Sequence, residues 1–286
     1  MSEQKQTFVA AMVQMRTGLV PRESLEQARH LIREAALAGA NYVQTPEVTN
    51  MMQTGRAGLF EHLRTQDDDE SLKAYRALAA ELGIYLHIGS MAVQATPERA
   101  ANRAFFIAPD GGILATYDKI HMFDIDLPNG ETYRESNGVR PGEQAVVAAT
   151  PWGGLGLTIC YDVRFGHLHR ALAHAGAAML TVPAAFTVPT GQAHWHVLLR
   201  ARAIETGCFV FAPAQTGQHA EGRLTYGHSL IVSPWGEVLA DAGEAPGFIV
   251  AEIDLEQVHK ARSMVPALRH DREFERPHSL MRAASE

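Results

Sequence analysis

Two cysteines in 286 residues are too few for a disulfide framework. Both Cys160 and Cys208 lie in apolar, strand-like runs, a usage that suits a reducing compartment. Long apolar runs are scarce too. The most apolar stretch, Ala175 to Phe186, is shorter than the ~20 residues a bilayer demands and contains Pro183. Met1 to Thr7 is polar, with no apolar signal core. No segment is rich in Lys and Arg, and a formal charge of −7 offers no basic field to a nucleic-acid backbone. Linkers and low-complexity segments are absent as well. These absences leave a soluble, cytoplasmic protein that binds neither membrane nor nucleic acid. With 46% hydrophobic and 20% charged residues, the chain can bury a full core as one domain, 1–286. Its core spans about 8–272. Residues 273–286 form a C-terminal extension, the end of a charged, patternless run from Arg269 that is expected to cross the surface.

The periodicity alternates. Phe8 to Val13 reads as a buried strand. Leu25, Ala28, Leu31, Ile32 and Ala35 recur at helical spacing within Ser24 to Ala38, and Gly39 stops that helix. Tyr42 to Gln44 is a short strand; Leu72, Tyr75, Leu78 and Leu82 mark a helix ended by Gly83; Ile84 to Val93 returns to strand. This order predicts an α/β sheet. Two hairpins follow, around Pro109-Asp110-Gly111-Gly112 and Pro234-Trp235-Gly236-Glu237, and their flanks match closely. Ala178 to Val182, a helix over Gln192 to Glu205, and Cys208 to Ala212 repeat the early strand–helix–strand order. The prediction is two similar halves packed as one domain, with two sheets face to face and helices outside.

Three reactive side chains directly follow predicted strands: Glu47, Lys119 and Cys160. Ligands in open α/β sheets bind at those carboxyl ends. Cys160 closes the run Leu155 to Ile159, and a helical pattern opens at Arg164, so free amides at the turn would favour a thiolate and hold an oxyanion. Glu47, its pKa raised in a dry pocket, would take the thiol proton and return it to a leaving amine. Lys119 and the Tyr161 backbone N–H would stabilise the tetrahedral oxyanion, and water would then hydrolyse a thioester. Arg164 either pairs with a substrate carboxylate or makes an internal salt bridge, with Asp162 or another acid.

Glu47, Tyr117-Asp118-Lys119-Ile120-His121 and Cys160-Tyr161-Asp162-Val163-Arg164-Phe165 resemble the Glu–Lys–Cys set of the nitrilase, or carbon–nitrogen hydrolase, superfamily. Phe123-Asp124-Ile125-Asp126, Arg134-Glu135-Ser136, Leu199 to Glu205 and Tyr226-Gly227-His228-Ser229 are similar to its Nit branch, and the likeness runs from about Phe8 to Arg272. The resemblance implies a four-layer α-β-β-α sandwich, no cofactor, and a dimer or larger homo-oligomer built through the helix after the cysteine. It also implies that Glu135 lines the site and orients substrate and lysine. The implied activity is cleavage of the terminal amide of a small carboxylate-bearing compound with release of ammonia. Deaminated glutathione comes first as substrate and 2-oxoglutaramate second, with Arg164 and the His-rich loop at His219 as carboxylate partners. Tyr161-Asp162, in place of Trp-Glu, disfavours nitriles. One departure is Ala193-His194-Trp195-His196, where the branch usually reads Ala-His-Trp-Glu.

Three rival readings are weaker. A metal-dependent hydrolase would use His167-Leu168-His169 or His194-Trp195-His196, but residues two apart on a helix do not face one another, so no metal site is expected. Gly227-His228-Ser229 lacks the second glycine of a serine-hydrolase elbow. A non-catalytic binding module would not need all three reactive residues. Cys208, next to Phe209, Val210 and Phe211, reads as a core residue.

Overall fold

The computed structural model describes residues 7–53, 55–127 and 130–275, so most of the expected C-terminal extension lies outside the described residues. The strands are β1 (Thr7–Gln14), β2 (Tyr42–Gln44), β3 (Tyr85–Thr96), β4 (Arg99–Ile107), β5 (Ile113–Asp118), β6 (Asp124–Asp126), β7 (Thr132–Arg134) and β8 (Val146–Thr150). They continue as β9 (Gly153–Leu157), β10 (Ala177–Thr181), β11 (Phe209–Ala212), β12 (Thr216–Gln218), β13 (Leu224–Tyr226), β14 (Leu230–Val232), β15 (Val238–Asp241) and β16 (Gly247–Asp254). The helices are α1 (Pro21–Leu37), α2 (Arg56–His62), α3 (Glu70–Leu82), α4 (Gly166–His174), α5 (Val188–Thr206) and α6 (Glu256–Met264).

Two six-stranded sheets carry the fold, in the orders β16-β1-β2-β3-β4-β5 and β8-β9-β10-β11-β14-β15. Each runs antiparallel, parallel, parallel, antiparallel, antiparallel from one edge to the other. The two predicted halves are thus the same strand plan twice, and the matching hairpins β4–β5 and β14–β15 occupy equivalent edges. Gly83 and Gly207 end the helices before β3 and β11 with left-handed φ of 65° and 60°, a conformation that costs a side-chain-bearing residue about 1–2 kcal/mol.

Alternation along β1 shows how the layers form. Phe8, Ala10 and Met12 face the second sheet, whereas Ala11 and Val13 face α1 and α3. Between the sheets, Phe8 stacks on Trp152 at 4.1 Å and Tyr42 meets Phe211 at 5.5 Å. On the outer face of the first sheet, Ala28 and Ile32 of α1 and Leu72, Tyr75 and Leu78 of α3 cover Val43, Leu86 and Phe105. Leu172 of α4 and Trp195 and Leu199 of α5 extend the core on the second sheet. The result is the four-layer α-β-β-α sandwich. Among the described residues no helix is long and apolar enough to cross a membrane.

Candidate active site

The strand ends bring Glu47, Lys119 and Cys160 together. Glu47 follows β2, Lys119 follows β5, and Cys160 follows β9 across a two-residue extension. All three are almost wholly buried, at 4%, 2% and 5% exposure. Lys119 Nζ donates to Glu47 Oε1 and to Glu135 Oε2, both at 2.9 Å. An ammonium has three N–H bonds, so one remains for a ligand. Glu47 Oε2 accepts the Ala185 amide at 2.8 Å, which aims the carboxylate, and the Cys160 thiol interacts with the same carboxylate.

Backbone strain marks the same place. Cys160 has φ +50° and Val48, next to Glu47, has φ +51°. Left-handed backbone at a bulky residue persists only where its surroundings over-determine it. At Cys160 those surroundings are explicit: its N–H donates to Pro183 O at 2.9 Å. The segment expected to be helical from Arg164 is instead a 3-10 turn over Cys160–Arg164, and α4 begins at Gly166. The first bond within that turn is donated by Asp162, to Ile159 O at 3.1 Å. The Tyr161 N–H, one residue earlier, precedes that first bond.

Charges reverse two expectations from the sequence. Burial pushes the Glu47 carboxyl up, but the charge and hydrogen bond of Lys119 outweigh it and hold Glu47 below its ordinary 4.5. The predicted rise is therefore a fall. Burial also works against the Lys119 ammonium, yet Glu135 and Glu47 push its pKa well above 10.5. For Cys160, burial and then the Glu47 carboxylate push the thiol well above 9.0, with Lys119 offsetting only part. The resting cysteine is a thiol facing an ionised glutamate, not the thiolate expected from turn amides alone.

Several residues that sequence reasoning missed hold this arrangement. Asn102 Nδ2 donates to Glu47 Oε1 at 2.9 Å and to Glu135 Oε1 at 3.2 Å, so one amide group spans both carboxylates. Asp162 lies at the base of the turn: Oδ2 accepts from Tyr117 Oη at 2.7 Å and Ile159 N at 2.9 Å, and Oδ1 accepts from His121 N at 3.0 Å. Gln215 Nε2 donates to the Glu47 carbonyl at 2.9 Å. Arg202 of α5 donates to Val163 O at 2.7 Å, fixing the end of the cysteine turn.

Beside these groups, the Phe123 ring meets those of Tyr133 and Tyr161, and two guanidiniums face Tyr133, Tyr161 and Phe186. Arg164 lies 5.7 Å from the Tyr161 ring and 5.5 Å from that of Phe186, and reaches His194 Nδ1 at 3.3 Å. No salt bridge joins it to Asp162. Arg223, absent from the sequence reading, donates to Ala185 O at 3.0 Å and faces Tyr133 at 5.5 Å. Neither guanidinium has a carboxylate within 4 Å among the described residues. His219 is not available as a third cation. It is buried, with Nδ1 at 2.9 Å from Thr17 O and Nε2 at 2.7 Å from Thr225 Oγ1, and burial pushes its pKa down to about 4.

The rival sites are accounted for. His194 turns to Arg164 while His196 turns to Asp241, so that His-x-His pair diverges as helical geometry requires. Ser229 Oγ donates to Gln14 Oε1 at 2.9 Å and accepts from Ala214 N at 2.8 Å, a structural pairing. Cys208 is buried, with Sγ 3.2 Å from Ala177 O.

Residues 9–263 match the family described as Carbon-nitrogen hydrolase. The chain belongs to that family. It is 42% identical over 267 residues to a deaminated glutathione amidase of Synechocystis sp., covering 92% of this chain and 97% of that one. The NitFhit protein of C. elegans superposes with a TM-score of 0.87 at 35% identity, over 94% of this chain and 66% of that one, so this hydrolase spans just under two thirds of that longer protein. A variant of the amidase from Nesterenkonia sp. AN1, with TM-score 0.78 and 25% identity, covers 93% of this chain and 94% of that one. It carries the acetamide moiety of fluoroacetamide on its active-site cysteine.

Proposed function

We propose that this hydrolase is a thiol-dependent amidase, with Cys160 as nucleophile, Glu47 as general base and acid, and Lys119 as oxyanion donor. The observation that carries the reading is the buried ammonium of Lys119, held 2.9 Å from both Glu47 and Glu135 beside the Cys160 thiol. Glu47 takes the proton from Sγ as sulfur attacks the amide carbonyl carbon. The oxyanion meets the third N–H of Lys119 and the Tyr161 backbone N–H. Collapse breaks the C–N bond, Glu47 returns the proton to the departing amine, and a thioester remains. Water, deprotonated by Glu47, then releases the carboxylic acid and regenerates the thiol. Every step is a proton transfer or an acyl transfer, so no cofactor enters.

The substrate proposed is deaminated glutathione, after the name of the Synechocystis relative, with 2-oxoglutaramate second. Deaminated glutathione joins a 2-oxo acid to cysteinylglycine through a γ-amide, so its leaving group is that dipeptide's amine; only 2-oxoglutaramate would release ammonia. Arg164, beside Tyr161 and Phe186, and Arg223, beside Tyr133 and Ala185, supply two cations for the carboxylates of either compound. Two free thiols in a chain without disulfides fit a cytoplasmic location.

The test is kcat/KM for both substrates beside a neutral aliphatic amide and a nitrile. The carboxylate substrates should lead, and Arg164→Ala or Arg223→Ala should raise KM for them more than for the neutral amide. A neutral amide or nitrile outperforming both overturns the substrate reading, and failure to turn over any amide overturns the reaction.

A further inference from the structure

His196 departs from the usual acidic residue of the Nit pattern, and its surroundings suggest what replaces it. Its Nε2 lies 3.1 Å from Asp241 Oδ2. The same carboxylate meets His228 Nδ1, at 2.9 Å from Oδ1 and 3.1 Å from Oδ2. One ligand-capable atom from each of the three residues falls within a cluster no wider than 4.8 Å. The residues come from three places, α5, the turn between β13 and β14, and the end of β15, so the cluster is a tertiary construction rather than a run of neighbours.

The cluster is also held in advance. Asp241 Oδ1 accepts the Gly243 amide at 2.8 Å. His228 is kept at a left-handed φ of +55°, its N–H donating to Gly243 O at 2.7 Å and its C=O accepting from Trp195 Nε1 at 2.8 Å. The Tyr226 ring stacks on the His228 ring at 4.5 Å and 26°. A strained backbone pinned from both sides aims an imidazole that has no part in the amidase chemistry.

We propose that His196, His228 and Asp241 form a binding site for a zinc-class divalent cation. Two imidazoles and one carboxylate are the donor set such ions prefer, whereas magnesium and calcium take oxygen ligands. Zinc bonds of about 2.0–2.2 Å place neighbouring ligand atoms a little over 3 Å apart, close to the 2.9–3.1 Å that separate each imidazole nitrogen from the Asp241 carboxylate. The three side chains are 33%, 22% and 33% exposed, so an ion can enter and a fourth position stays open to water. Bound there, the ion would clamp α5 to the β14–β15 hairpin and would not touch the thiol.

The experiment is calorimetric titration of zinc chloride into the tag-free, full-length Cys160→Ala chain, which removes the active-site thiol as a competing zinc ligand. One zinc per chain should bind. Zinc should raise the thermal midpoint, because the ion binds only the folded arrangement. His196→Gln and Asp241→Asn, both at the surface, should unfold at the parent's midpoint in EDTA yet weaken zinc binding at least about 10-fold and abolish the zinc-dependent rise. Cobalt chloride in place of zinc should give visible d–d bands, lost in the same two variants. Absence of stoichiometric zinc binding, or affinity unchanged in both variants, overturns the proposal and leaves a hydrogen-bonded His–Asp–His clasp.

Discussion

Asp162 accepts the Tyr117 hydroxyl at 2.7 Å and thereby ties the turn that carries Cys160 to the strand that leads into Lys119. His121, two residues beyond the lysine, grips the same carboxylate through its backbone N–H. The lysine is thus bracketed by two residues that hold one acid, and that acid sits two residues from the cysteine. One buried carboxylate anchors both the turn that carries the thiol and the segment that carries the ammonium.

Asp162→Asn should expose that dependence. The amide matches the carboxylate in size but presents N–H to donors that need an acceptor, and each stranded buried donor costs about 1–3 kcal/mol. Thermal unfolding should shift down and turnover should fall at least about 10-fold, with KM little changed. Wild-type turnover in a destabilised Asp162→Asn chain would confine this residue to a structural role.

Glu47→Gln and Lys119→Met should each lower turnover by at least about 100-fold. They should differ in stability. Lys119→Met leaves Glu47 and Glu135 facing one another through Asn102, and breaking a buried ion pair of this kind costs about 3–5 kcal/mol unless one carboxylate takes up a proton. Glu47→Gln keeps the ammonium paired with Glu135 and strands one buried donor, at Ala185 or at Asn102, so it should lose less, about 1–3 kcal/mol. Kinetics and calorimetry on the two variants check both statements.

Limited iodoacetamide should alkylate Cys160 before Cys208, with activity lost in step. The thiol is held protonated by burial and by Glu47, so alkylation requires that glutamate to take the proton. Glu47→Gln should therefore slow labelling as well as turnover. Intact-mass spectrometry with peptide mapping would read this. First labelling at Cys208, with parallel inactivation, would reassign the nucleophile.

Acid should destabilise the fold first through three histidines, with the depressed carboxyl of Glu47 adding its loss only below about its unfolded 4.5. Burial pushes His87 down to about 3 and His169 and His219 down to about 4, against 6.5 for a free imidazole. Each is neutral when folded and takes up a proton on unfolding. Stability is thus full above pH 6.5 and is lost as pH falls from there toward 4, by at most about 4 kcal/mol per pH unit for the three together. Denaturant titrations at pH 7, 6 and 5 should show the loss, and His87→Asn should reduce proton uptake on unfolding at pH 5 by close to one.

The strand and helix order was legible because apolar periodicity changes with each element, and the repeated hairpins around Asp110 and Trp235 disclosed two similar halves. Glu47, Lys119 and Cys160 were legible as reactive groups at strand ends. What holds them was not. Asn102 lies 55 residues from the glutamate it orients, and Asp162 lies 45 from Tyr117, so neither pairing leaves a local trace. The left-handed backbone at Cys160 has no signature in a non-glycine residue. The pKa direction of Glu47 depends on where one ammonium sits, and that of Cys160 on burial and the Glu47 carboxylate, which no linear pattern encodes. His219 looked like a polar loop residue because burial by distant chain is invisible from its neighbours.

The position of β16 has a consequence for synthesis. The first sheet is completed only when Gly247–Asp254 pairs with Thr7–Gln14, whereas the second draws all its strands from between Val146 and Asp241. On the ribosome the second sheet can therefore close while β1 still presents an unpaired edge. The half made first is the half finished last, and for most of translation its exposed edge is where a nascent chain would need shielding from its neighbours.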